Sequence, residues 1–165
     1  MTKQAADQPT ARIAGFHQDD EGVWVAELEC GHNQHVRHEP PFKLAPWVTS
    51  EASRREKVGV ALPCDFCRMP KIPTRARVYK STPTWGDQEV PKGLRASHTL
   101  KADTWARIVV EHGRVAYVLE DQGDFMLILR PGVDGTVGPG RSHHIEPVAG
   151  ARLHIEFLRC EDDAP

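Results

Sequence analysis

Arg152-Leu153-His154-Ile155-Glu156-Phe157-Leu158 alternates polar and apolar side chains along its length. Successive side chains of a β-strand point to opposite faces, so Leu153, Ile155 and Phe157 are expected to face a core while Arg152, His154 and Glu156 turn away from it. Working back from this strand, Thr104 to Glu111, Arg114 to Leu119, Phe125 to Leu129 and Ser142 to Pro147 are further short strand-like runs. They are punctuated by His112-Gly113, Gln122-Gly123, Pro131-Gly132, Pro139-Gly140 and Ala149-Gly150. That turn rhythm predicts an antiparallel sandwich or barrel, with Trp105 and Phe157 in its core.

The pattern changes upstream. Residues 68–77, RMPKIPTRAR, combine two prolines with basic side chains and no apolar periodicity, and are predicted to be a linker. Before it, Ala11 to Phe16 and Val23 to Leu28 read as a hairpin turning through Gln18-Asp19-Asp20-Glu21-Gly22. A proline-rich stretch with Pro40, Pro41 and Pro46 follows, then a short helix capped by Thr49 or Ser50, ending at Val58 and stopped by Gly59. Residues 1–10 are expected to be a disordered lead-in, and residues 161–165 an acidic tail. The predicted organisation is therefore a small module at 11–67, the linker at 68–77, and a β domain at 78–160.

At 165 residues and 39% hydrophobic content the chain has enough apolar material for a core but little to spare. A domain of ~70 residues with that composition normally needs a staple, and a bound metal is one. A net charge of -2 with a pI near 6.5 lacks the footprint of a nucleic-acid binder. With no apolar run long enough to span a bilayer and a polar N-terminus, neither a membrane partner nor export is expected, and the predicted location is the cytoplasm. Thiols persist in such a compartment, so clustered cysteines point to metal rather than to disulfides. Cys160 stands apart and reads as a free thiol.

Three cysteines do cluster. Cys30-Gly31-His32 and Cys64-Asp65-Phe66-Cys67 together offer three thiols and an imidazole. Zn(2+) takes four such donors in a tetrahedron, and a closed set of three Cys and one His points to a structural site rather than a catalytic one. Gly31 allows the chain reversal that two ligands so close together require. His35 and His38 are rival candidates for the imidazole, and buried or redox-active thiols are the competing explanation for Cys64 and Cys67. Arg37 and Lys43 add a modest positive patch without aromatic stacking partners, so a nucleic-acid role is not expected.

Two resemblances accompany these readings. Ile13 to Cys67, with GFHQDDEGVWVAELECGHNQHVRHEPP, the PWV at 46–48 and the closing C-x-x-C, resembles a small bacterial domain family that implies metal binding and carries no known reaction. YKSTPTWGDQEVPKGLRASHTLKADTWARIVVEHGRVAYV at 79–118, with PGRSHHIEPV and LHIEFLR, resembles the tellurite-resistance-related TehB/YeaR-like domain, whose fold is cupin-like. That family has the domain alone or ahead of a methyltransferase domain. No methyltransferase segment is legible here, so tellurite methylation is not expected.

Cupin metal sites take histidines from separated strands and a carboxylate at the mouth of a small barrel. The resemblance places His98 in the first motif and His143, three residues after Gly140, in the second, with Leu100 where a paired histidine would stand. Glu156 or Glu146 is the candidate carboxylate and His144 or His154 a third nitrogen, although alternation turns His144 and Glu146 away from His143. His98, His143 and Glu156 thus form the expected second pocket, for a second divalent metal or for a small ligand or oxyanion. The function expected is a stress- or detoxification-associated metal-binding protein. The alternative is a small non-haem metal-dependent oxygenase or isomerase, and the less favoured third is a nucleic-acid accessory factor. Cupin-like folds also imply a homodimer by analogy.

Overall fold

A computed structural model describes residues 9–38, 40–41, 44–122 and 125–161. The lead-in at 1–8, the end of the acidic tail at 162–165, Lys43 and the turn glycine Gly123 lie outside the described residues. The chain divides into two compact units, residues 1–68 and 69–165. Both are mainly β.

The first unit is a four-stranded antiparallel sheet with short helices. Its strands are β1 (Thr10–Gln18), β2 (Trp24–Leu28), β3 (Asn33–His35) and β4 (Ala61–Pro63), in the order β3-β2-β1-β4. The predicted hairpin is β1 and β2, closed by Asp19, whose carboxylate accepts from the backbone N–H groups of Glu21 and Val23. Ser50 caps α1 (Glu51–Lys57) by accepting from the Ser53 amide. A second helical turn, α2 (Asp65–Arg68), carries the C-x-x-C motif. The buried cluster is Ile13, Ala26, Leu28 and Cys64, with Phe16, Trp47, Leu62 and Phe66 packed against it. A core this small needs a covalent or metal staple.

The second unit has two antiparallel sheets forming a half-barrel. One contains β5 (Ala76–Ser81), β6 (Trp85–Gly86), β7 (Trp105–His112), β10 (Gly135–Val137) and β12 (Arg152–Cys160); the other contains β8 (Val115–Leu119), β9 (Phe125–Leu129) and β11 (His143–Pro147). A one-turn helix, α3 (Lys92–Arg95), completes it. The predicted turn at His112-Gly113 passes the chain from one sheet to the other. Gly113 has φ +74° there, and a Cβ would stand 3.0 Å from the Ala151 Cα. Leu153 and Ile155 are buried, as the alternation predicted. Phe157 keeps that face, lining the interior beside Ile155 while half-buried, and Leu158, on the other face, is buried as well. Trp105, expected in the core, is also half-buried.

In the stretch expected to be a linker, Arg68 ends α2, the Thr136 hydroxyl donates to the Pro70 carbonyl, and Ala76 opens β5 opposite Cys160. Among the described residues, no helix is long and apolar enough to cross a membrane.

Candidate metal centre

The first pair of candidate ligands, Cys30 and His32, sits on a tight turn between β2 and β3. The Leu28 amide donates to the His32 carbonyl and the Gly31 amide to the Leu28 carbonyl, while Gly31 adopts φ +88°. A side chain at that φ is strained, so glycine is what lets Cys30 and His32 face one point. The second pair sits on the α2 turn, where the Cys67 amide donates to the Cys64 sulfur at 3.5 Å. Gln34 of β3 joins the two turns. Its side-chain nitrogen donates to the Pro63 carbonyl and its oxygen accepts from the Asp65 amide, both at 2.9 Å, so one amide group grips the chain on either side of Cys64. Phe66 stacks on the His32 ring at 5.2 Å.

The sulfurs of Cys30, Cys64 and Cys67 each lie 3.4 Å from Nδ1 of His32, and the Cys30 and Cys64 sulfurs are 3.6 Å apart. One ring nitrogen has a single proton or a single lone pair, so it cannot hydrogen-bond three thiols at once. Nor is a disulfide present, since its sulfurs would be ~2.05 Å apart. A tetrahedral Zn(2+) with Zn–S of ~2.3 Å and Zn–N of ~2.0 to 2.1 Å spaces its ligand atoms about 3.6 Å apart for S to N and about 3.8 Å for S to S. The four donors fit that frame, and all lie within 4.8 Å of one another. Desolvation of the fully buried Cys64 pushes its thiol up to about 12. Desolvation acts on Cys30 in the same direction, but hydrogen bonds from the His32 backbone and the neighbouring thiols hold Cys30 below its usual value. Thiolates packed this closely repel one another unless a cation lies between them.

His35 does not join the group. Its Nε2 pairs with the Asp19 carboxylate at 2.8 Å, and Nδ1 of His38 accepts from the Ala45 amide. Among the described residues, Cys30, His32, Cys64 and Cys67 are the group of three or more donors placed to hold a metal.

In the second unit, His98 and His143 do meet. Their backbones exchange two 3.0 Å hydrogen bonds and their ring centroids are 4.1 Å apart. Both line a cavity of about 200 Å³ between the two sheets, walled mainly by apolar side chains including Ile108, Val137, Ile145 and Ile155. Glu156, expected beside them, is not there. Alternation along β12 puts it on the opposite face, where it faces Arg107 across the sheet and bonds it at 2.8 Å. His144 likewise turns outward to Glu120 and Glu146.

Residues 80–155 match the family described as TehB-like domain, and residues 14–71 match one described as Protein of unknown function (DUF3565). Residues 80–155 are therefore similar to a TehB-like domain, over less than half of the chain. A protein from E. coli (strain K12), of known crystal structure, is 25% identical with a TM-score of 0.52, over 57% of this chain and 100% of that one. TehB from Haemophilus influenzae is 23% identical with a TM-score of 0.50, over 55% of this chain and 33% of that chain, a likeness of fold alone. No curated protein matches the chain.

The TehB-like domain also contains a polar clamp that the sequence did not reveal. Glu120 accepts from the hydroxyls of Ser97 and Ser142 and pairs with Nδ1 of His144. These hydrogen bonds, those of the serines foremost, hold the Glu120 carboxylate down to about 2. Ser97 and Ser142 directly precede His98 and His143, so this carboxylate ties together the two segments that deliver the imidazoles.

Proposed function

We propose that the protein is a metal-binding, tellurite-resistance-related member of the detoxification response, acting in the cytoplasm. In this reading one Zn(2+) on Cys30, His32, Cys64 and Cys67 folds the first unit, and the TehB-like domain receives a small ligand beside His98 and His143. The observation that carries it is the equal 3.4 Å spacing of three sulfurs around one imidazole nitrogen. Three thiolates and one nitrogen fill a tetrahedron, leaving no position for substrate, so the metal's role is structural. The tellurite association rests on likeness to TehB and on no residue of the site. A metal-dependent enzyme at the second site is the weaker reading, because the described residues supply two imidazoles there and Glu156 faces away.

The test is tellurite challenge of a sensitive bacterial host. Expression of the wild-type chain is expected to raise the tolerated concentration severalfold, with Cys64→Ser losing that gain. Equal tolerance in cells with and without the chain contradicts the detoxification role.

A further inference from the structure

The cavity between the sheets of the TehB-like domain has a chemistry of its own. At about 200 Å³ it exceeds the ~150 Å³ apolar cavity that suffices for a benzene ring. Its deep wall is apolar, with Ile108, Val137, Ile145 and Ile155 all buried, and Leu94 and Leu100 are half-buried nearer the surface. The polar atoms available to a guest are those of His98 and His143. Nδ1 of His98 lies 2.9 Å from the Ala96 carbonyl and Nδ1 of His143 lies 2.8 Å from the Arg141 carbonyl. A carbonyl only accepts, so both Nδ1 atoms carry the proton and donate, and wherever the ring is neutral Nε2 is then a lone pair. His143 is 4% exposed, and burial, its largest influence, lowers its pKa to about 4, so it is uncharged at neutral pH.

An oxyanion brings negative charge and lone pairs of its own. Against a neutral acceptor in an apolar wall it would lose its hydration without gaining a donor. Accepting the reading of this cavity as a ligand site, we infer that its guest is a small uncharged molecule with an apolar body and a hydrogen-bond donor, of the alcohol or phenol class. The donor meets the Nε2 lone pairs while the body fills the apolar end.

The test follows the imidazole nitrogens of the full-length, isotope-labelled protein by NMR during titration with phenol, toluene, tellurite and phosphate. Phenol is expected to shift the Nε2 resonances of His98 and His143 and to bind about five- to tenfold more tightly than toluene, as one hydrogen bond allows. His143→Phe should bring phenol down to the toluene level, and His98→Phe, at a half-buried position, should do so in part without demanding a repacked core. Toluene binding as well as phenol overturns donor recognition. Tellurite or phosphate shifting the two rings overturns the ligand class while the cavity remains a binding site. If no probe perturbs either ring, both the class and the cavity's role as a ligand site fall.

Discussion

His32 and His35 are three residues apart, and only one of them meets sulfur. Replacing His32 with Ala should strip the metal and unfold the first unit, whereas His35→Ala, which removes the partner of Asp19, should leave metal content unchanged; elemental analysis of the two variants separates them. Cys64→Ser is expected to be as severe as His32→Ala, because structural zinc supplies on the order of 10 kcal/mol of folding free energy in small modules. Residue chemistry also sets a pH dependence in the second unit. The His143 pKa falls from 6.5 when unfolded to about 4 in the fold, so between those values the unfolded chain binds the extra proton. Stability is full above about pH 6.5 and is lost as pH falls toward 4, with a limiting slope of about 1.4 kcal/mol per pH unit. Denaturant titrations across that window should show the slope in wild type and its loss in His143→Phe.

Elements deliver these residues through hydrogen bonds that composition does not announce. Gln34→Ala removes the amide that straddles Cys64, and metal affinity should drop about tenfold, the usual effect of losing a supporting partner around a metal site, as read by chelator competition. Unchanged affinity would mean the two turns hold their places without it. Glu120→Ala should lower the melting temperature of the TehB-like domain by several degrees, because one carboxylate oxygen serves both Ser97 and Ser142. The β1–β2 hairpin, the Ser50 cap and the core face of β12 up to Ile155 were legible because each depends on local pattern. The short pairings of β3, β4 and β10 were not, since three residues carry too little periodicity to read. Glu156 was misassigned because its choice as the carboxylate of the pocket went against the alternation of β12, which already turned it away from the core.

Over the whole molecule, each unit has its own core and its own way of closing it. The convergence of Cys30, His32, Cys64 and Cys67 was legible in the sequence since donor type, count and turn spacing carry it by themselves. The second pocket was legible only in His98 and His143, because the third expected group, Glu156, stands on the outward face of β12 that the alternation gives it. A chain so divided should unfold in two steps, and a strong chelator should abolish the first while leaving the second at its original temperature. A single transition that moves as a whole with chelator would show the units to be one cooperative structure. The most direct measurement of the account is metal content per chain, by elemental analysis of protein purified without added metal, alongside Cys64→Ser. One zinc per wild-type chain and none in the variant is the predicted result; wild-type protein that is folded and metal-free, or a variant that keeps its zinc, would contradict it.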